Sequence, residues 1–137
     1  MITQTQTTSF KLELYEAIHN FLTDTINIAL YNANADLGAA TTAYTSLNEI
    51  TGTGYTAGGQ ALTGVTVSSS GTVAYVNFAN ALWSPASFTC RGALIYNASK
   101  ANRSVAVLNF GADKSASNTF LITMPANSAD TAIIRST

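Results

Sequence analysis

The residue types that usually carry catalysis or bind metals are few in this chain and widely spaced. It has one histidine (His19), one cysteine (Cys90) and only 9% charged residues, against about a quarter in a typical soluble domain. Serine and threonine are plentiful, but a nucleophilic hydroxyl needs a base within hydrogen-bonding reach, and His19 is the only imidazole. We therefore expect a protein that is not an enzyme, with no catalytic residues, cofactor, metal or small-molecule substrate.

His19 and Cys90 each have a simple structural interpretation. His19 falls on a predicted helix one step from its apolar stripe, and one His with one carboxylate offers too few ligands for a zinc site. A histidine that makes local hydrogen bonds is therefore favoured, while Glu13 and Glu16 are expected to face solvent beside Lys11. Because Cys90 is alone, no disulfide within the chain is possible. Its apolar neighbours favour a buried small hydrophobic residue over a reactive thiol.

Four glycines, at positions 52, 54, 58 and 59, superficially resemble a nucleotide-binding loop. The dinucleotide fingerprint needs a preceding strand, a following helix and an acidic residue about 20 positions on. None of these is evident. The pattern therefore indicates turn geometry or a binding loop rather than a nucleotide site.

The basic residues are too few for a nucleic-acid partner. The formal net charge is −1, and only Arg91, Lys100 and Arg103 are predicted to cluster, near one end of a hairpin, where a nucleic-acid groove would need more. An ion pair with Asp113 or with a partner protein is the simpler use for them. The sequence contains no apolar run of the roughly 20 residues needed to cross a bilayer, so no membrane partner is expected.

The elements that must position these residues begin with an arm and a helix. Residues 1–9 are rich in Thr and Gln without an apolar period, which predicts a flexible arm. Residues 10–22 have apolar side chains at helical spacing, from Phe10 to Leu22, and Thr8 or Ser9 is a candidate N-cap. The sequence therefore predicts one N-terminal helix over residues 10–22.

The rest of the chain has the pattern of short strands. Strands are predicted over 25–31, 60–67, 72–78, 79–84, 87–97, 104–110, 119–124 and 132–135, with a turn at 68–71, a kink at Gly92 and a loop at 111–118. Residues 32–59 form a long irregular connection. Short strands at this spacing, separated by turn residues, are typical of all-β domains. We therefore expect a mainly β fold, an antiparallel β-sandwich or barrel of about seven or eight short strands, with residues 10–137 as a single domain.

Three aromatic residues are candidates for stacking on sugars. Tyr44, Tyr55 and Trp83 would form the platform, with the loop over residues 51–59 as its rim. The alternative, which we favour, is that Tyr55 and Trp83 lie in the core or in a subunit interface.

Several sequence blocks together resemble a family of small tailed-phage proteins. The blocks include Ile28-Ala29-Leu30-Tyr31, Gly52-Thr53-Gly54-Tyr55-Thr56-Ala57-Gly58-Gly59, Arg91-Gly92-Ala93-Leu94-Ile95-Tyr96-Asn97 and Ala132-Ile133-Ile134-Arg135. Further matches lie at 9–19, 41–45 and 106–111, so the resemblance covers nearly the whole chain after residue 8. It implies a virion structural protein and offers no catalytic residues.

The resemblance does not identify the part of the particle. The small single domain, its β-rich pattern, the free arm and the lack of catalytic groups lead us to expect a capsid decoration, or cement, protein. It would be made in the host cytoplasm, bind the outer surface of a phage head, and stabilise the shell through contacts with the major capsid protein and with copies of itself, a trimer being one arrangement. Uncharged polar surfaces suit such packing because neighbouring copies do not repel each other. Two alternatives remain open: a tail, neck or fibre-associated component of the virion, and a host-surface carbohydrate-binding module.

Overall fold

The computed structural model describes residues 1–136, which form a mainly β fold with one α-helix. Thr137, the last residue of the expected domain, lies outside the described residues. The elements in chain order are β1 (Thr5–Gln6), α1 (Thr8–Tyr15), β2 (Ile26–Tyr31), β3 (Gln60–Ala61), β4 (Thr66–Ser70), β5 (Val73–Asn77), β6 (Ala81–Trp83), β7 (Phe88–Asn97), β8 (Arg103–Ala116), β9 (Phe120–Ile122) and β10 (Ile134–Ser136).

The strands form three antiparallel sheets. The largest has five strands in the order β1-β8-β7-β2-β3, the second has the order β10-β5-β4, and the third pairs β6 with β9. Within the described residues these sheets are open rather than closed on themselves. The expected mainly β, sandwich-like fold with one N-terminal helix is therefore confirmed, and the barrel alternative is not observed.

The central strands of the five-stranded sheet are buried on both faces. Ile26, Ile28 and Leu30 of β2 belong to the larger apolar core, with residues of the other two sheets. Ala29 and Tyr31, on the opposite face of the same strand, belong to a second core. The sequence predicted one buried face for this strand. The second face is buried because residues 32–44, which have no long strand or helix of their own, fold back over it.

The first nine residues differ from the expected flexible arm. Thr5 and Gln6 pair with Val107 and Ala106 of β8, and Ile2 is buried against the second core. Thr7 is fully buried, and its hydroxyl lies 2.9 Å from that of Ser104. The segment is therefore part of the domain, because β8 offers backbone partners that a local Thr/Gln pattern does not reveal.

The helix is shorter than the predicted 10–22. Its N-cap is Thr7, whose hydroxyl accepts a hydrogen bond from the Phe10 N–H, rather than Thr8 or Ser9. It ends at Tyr15, and Ala17 has a left-handed φ of 59°. Beyond it, Asn20 and Asp24 close a turn with side-chain-to-backbone hydrogen bonds, which compete with helical ones. Among residues 1–136, no helix is long and apolar enough to cross a membrane.

Two predicted loops lie partly within strands. The predicted turn at 68–71 is narrower, since residues 68–70 belong to β4 and the turn falls at Gly71. The predicted loop at 111–118 lies largely in β8, but the strand is irregular there. Gly92 pairs with Asn109, and Cys90 pairs with Lys114, so residues 110–113 stand opposite Arg91 alone. The expected kink at Gly92 coincides with this β-bulge.

The glycines of the 51–59 loop allow close backbone approach rather than forming a phosphate-binding loop. Gly59 has a φ of +79°, and a Cβ at this position would overlap the main-chain carbonyl oxygen of Ile28 in β2. A Cβ at Gly54 would likewise overlap the carbonyl oxygen of Pro85. The loop therefore lies directly against the main chain of two other segments, as the turn-geometry interpretation predicts.

Replacing Gly59 by Ala is expected to lower the free energy of unfolding by more than about 2 kcal/mol, because no side-chain rotation relieves a clash with main chain. Gly71→Ala is the matched control, because its φ of 60° is also left-handed but no atom lies within 4 Å of the new Cβ. The control is expected to cost about 1 kcal/mol. Urea denaturation followed by circular dichroism measures both, and equal losses would contradict the close-approach argument.

Candidate interaction surface

His19 is the centre of a buried polar network. Its side chain is fully buried, with Nε2 2.8 Å from Oε1 of Glu13 and Nδ1 3.0 Å from the amide nitrogen of Asn97. The Asn97 amide oxygen accepts a hydrogen bond from the Ser99 N–H, so the amide nitrogen faces the ring. His19 therefore accepts at Nδ1 and donates from Nε2 to Glu13. The expectation of a boundary histidine with local hydrogen bonds is met only for the bond to Glu13: His19 is buried, and its other partner, Asn97, lies on β7.

Glu13 does not face solvent as expected. Its carboxylate is held between His19 and the Nε of Arg103, 3.5 Å away, whereas Glu16 is exposed. Among residues 1–136, no group of three or more His, Cys, Asp or Glu side chains is placed to hold a metal ion. The network joins the end of the helix to the β7–β8 hairpin.

Asp24 extends this network to Lys100. Asn97 donates to Oδ2 of Asp24 at 2.8 Å, and Nζ of Lys100 lies 3.0 and 3.1 Å from its two oxygens. Burial raises the pKa of this carboxyl, but hydrogen bonds from Asn97, the Asn20 N–H and Lys100 outweigh it and lower the pKa to about 2. The charged carboxylate is therefore the form that the fold stabilises.

The three cations predicted to cluster separate into two places. Arg103 and Lys100 pair with Glu13 and Asp24 at the turn of the β7–β8 hairpin. Arg91 lies at the other end of β7, where its Nη1 is 3.4 Å from Oδ1 of Asp113. The ion pair between Arg91 and Asp113 is confirmed, and the single cluster is wrong because the hairpin is long and Arg91 is far from its turn.

Cys90 is almost fully buried in the larger core. Burial, with a smaller effect of the Asp113 charge, raises the pKa of its thiol to about 12. The thiolate is the reactive form of cysteine, so the interpretation of Cys90 as a buried small hydrophobic residue is confirmed.

A second polar centre forms around the carboxylate of Glu49. Oε1 accepts a hydrogen bond from the Tyr44 hydroxyl at 2.6 Å, and Oε2 accepts one from the Tyr55 hydroxyl and one from the Gly58 N–H at 2.8 Å. Burial, and after it the hydrogen bonds to Glu49, raise the pKa of both tyrosines. The Tyr55 hydroxyl also accepts the Leu30 N–H of β2. The long connection is therefore tied to the sheet by side chains.

The aromatic residues considered for sugar binding do not form an exposed platform. Trp83 is buried, and Tyr55 packs against it with ring centroids 6.4 Å apart. Tyr44 stacks on Tyr96 at 4.9 Å, on the other face of the sheet. The preferred assignment of Tyr55 and Trp83 to the core is confirmed.

The most extensive candidate surface is built from uncharged strands. No charged residue occurs between Glu49 and Arg91, so β3, β4, β5 and β6 are all free of charge, and so is β9. The segment after β9 joins these strands, since Asn77 donates to the carbonyl of Pro125 at 2.7 Å and Thr66 to Asn127 at 3.2 Å. We name the exposed face of β4, β5, β6 and β9 the uncharged surface.

Exposed aliphatic side chains lie on the uncharged surface. Leu82 of β6 and Leu121 of β9 are directly opposite each other in the ladder and are 52% and 53% exposed. Their neighbours in the same strands, such as Trp83 and Ile122, point into the core. Val67 of β4 is also 49% exposed, although it lies opposite the core residue Val76 at the edge of its sheet. Protein interfaces are depleted in charge at their centres, so this surface has the composition of a binding face.

Sequence reasoning did not single out the uncharged surface, although a signal for it was present. The charge-free run between Glu49 and Arg91 is visible in the sequence. The pairing of Leu82 with Leu121 is not visible in the sequence. The two residues lie on β6 and β9, which are separated along the chain by β7 and β8 and meet only in the folded protein.

Replacing Asp24 by Asn is expected to lower the free energy of unfolding by about 2 kcal/mol at neutral pH, because the amide cannot pair with Lys100 as a charge. The folded pKa lies below the ordinary value of 3.8. The carboxylate therefore stabilises the fold above about pH 4, and this contribution is lost as the pH falls through about 2.

Urea denaturation of both proteins between pH 2 and pH 7 measures this difference, which should shrink steadily below pH 4. Asp130→Asn, at an exposed position, is the control and should show a small, constant difference. A loss in Asp24→Asn that does not vary with pH would contradict the assignment.

Comparisons of the chain with protein-family models, with curated proteins and with solved structures gave no match.

Proposed function

We propose that this protein is a structural component of a tailed-phage particle, and most specifically a decoration protein that binds the outside of the head and stabilises the shell. The observation that carries the proposal is the uncharged surface, with Leu82 and Leu121 paired at its exposed face. The resemblance of the sequence blocks to small tailed-phage proteins is the reason for proposing a phage particle as the place where this surface binds.

The physical argument for binding begins with solvation. An exposed pair of leucines on a two-stranded sheet gains free energy when a partner covers it, at about 25 cal/mol for each Å² of apolar area removed from water. Charged groups would lose hydration in such an interface unless they were paired, and strands β4, β5, β6 and β9 contain none. Charges lie at the margin, with Arg135 beside Tyr75 and with Asp113 and Lys114 near Leu121. Burial of the Leu82–Leu121 pair against another protein is therefore favourable.

The rigid construction of the domain also supports a structural role. The five-stranded sheet is packed on both faces, and its long connection is held by the Glu49 centre. A cement protein transmits force between neighbouring shell subunits, for which a domain packed on both faces of its central sheet is suited.

The location is tested by cryo-electron microscopy of particles of the phage that encodes the chain. Density that fits this fold on the icosahedral head is the expected result. Density confined to the tail, neck or fibres would overturn the decoration role in favour of the second structural candidate. Absence from the particle would overturn both and leave a host-surface binding module to be tested with glycans.

The double substitution of Leu82 and Leu121 by Ser is expected to weaken binding to heads stripped of this protein by at least about tenfold, since it removes the apolar centre of the contact. Its free energy of unfolding should change by no more than about 0.5 kcal/mol for each exposed site. Co-sedimentation with stripped heads measures the binding.

Leu47→Ser is the matched control. Leu47 is 72% exposed but lies outside the uncharged surface, so this variant should bind as the wild type does. Equal binding by the double variant and the wild type would show that the contact lies elsewhere.

A further inference from the structure

The edges of the three sheets differ in how they are protected against pairing with other chains. An exposed strand edge offers free N–H and C=O groups, and natural proteins limit this with short strands, charges, prolines or bulges. The edge strands β1 and β3 have two residues each, and β10 has three. The free part of β8 contains a bulge with Asp113 and Lys114 beside it. These edges are protected.

Strand β4 lacks each of these protections. It has five residues, Thr66–Ser70, paired with β5 in a continuous register without a bulge. It contains neither a charged residue nor a proline, and neither does its partner β5. All its residues are exposed or half-buried. Within residues 1–136, no backbone hydrogen bond is made to β4 from outside its own sheet, so its outer N–H and C=O groups are free to pair.

We propose that β4 pairs antiparallel with β4 of a second copy of this chain, joining two three-stranded sheets into one of six strands. Antiparallel pairing of identical strands places a two-fold axis at the contact. With Ser68 on that axis, Thr66 lies opposite Ser70 and Val67 opposite Ser69. Each Val67 side chain then gains a neighbour on the face where it is half-exposed.

The chemistry of the strand favours a second copy as the occupant. In this register the axial residue faces its own copy, and like charges directly opposite are destabilising. The axial residue of a strand that pairs with itself must therefore be uncharged, as Ser68 is, and no other residue of β4 brings an unmatched charge into the contact. Serine and threonine hydroxyls both donate and accept hydrogen bonds, so they complement themselves across a two-fold axis. A strand adapted to a charged partner would carry complementary charges, and β4 has none.

This inference goes beyond the proposed function, because pairing of two copies can be measured without a phage particle. It predicts a dimer rather than the trimer considered from the sequence. The Leu82–Leu121 pair lies on β6 and β9, in a different sheet, so binding to heads and pairing through β4 are separable. Loss of one without the other distinguishes failure of this inference from failure of the proposed function.

The test uses light scattering after size exclusion, with analytical ultracentrifugation for the dissociation constant. Wild-type protein is expected to be a dimer. Ser68→Glu places two carboxylates across the axis and should raise the dissociation constant at least about a hundredfold at low salt. Ser68→Lys should behave likewise. An equimolar mixture of the two variants should again form dimers, because opposite charges then face each other.

The matched control is Thr72→Glu. Thr72 is exposed and lies in the turn between β4 and β5, so it adds the same charge to the same hairpin away from the axis and should leave the dimer intact. A monomeric or trimeric wild type would overturn the proposal. So would a dimer that is insensitive to Ser68→Glu, or variants whose mixture stays monomeric. Circular dichroism of each variant confirms that lost pairing is not lost folding.

Discussion

The arrangement of the central sheet depends on the hydrogen bonds that the carboxylate of Glu49 accepts. The residues between β2 and β3 have no long element of their own, yet they cover the free edge of β2. Tyr55 reaches that edge and accepts the Leu30 N–H, while Glu49 holds both Tyr55 and the Gly58 N–H. The Tyr96 hydroxyl donates to the carbonyl of Gly58 at 2.6 Å. At this edge side chains thus supplement short main-chain pairings, those of β3 and of the bridge between Tyr31 and Glu49.

This constraint determines which parts of the molecule remain open. The connection between β2 and β3 occupies the edge of β2, and β1 and the bulge occupy the edge of β8. The five-stranded sheet is therefore closed to pairing with another strand over most of its length. The charged residues also belong largely to this half, in the network of Glu13, His19 and Asp24. The other two sheets keep an uncharged face and the free strand β4. The five-stranded sheet therefore has little edge left for pairing with another chain, whereas the edge of β4 remains open.

The fold class could be predicted from the sequence because its signals are local. Alternating apolar residues and turn residues marked β2, β5, β7 and the first half of β8. The predicted helix end at residue 22 and the predicted flexible arm over residues 1–9 were wrong because both depend on distant partners. Phe21 turns into the core beyond Ala17, and Thr5 pairs with Val107. Likewise, nothing near Glu49 in the sequence indicates that two tyrosines and a glycine converge on it. Cys90 and Trp83 were placed correctly, since burial of such residues follows from side-chain type alone.

The pairing of β1 with β8 has a consequence for how the chain is made. Thr5 meets Val107, and Asn109 donates to the carbonyl of Ile2 at 2.9 Å, so the residues around Thr5 are synthesised long before their partners in β8. Contacts between such distant segments slow folding. Until β8 emerges, the apolar strand β7 lacks one of its two neighbours, and the uncharged β4 edge is already synthesised. The nascent chain therefore has a period in which it depends on dilution or on chaperones to avoid premature pairing with other copies.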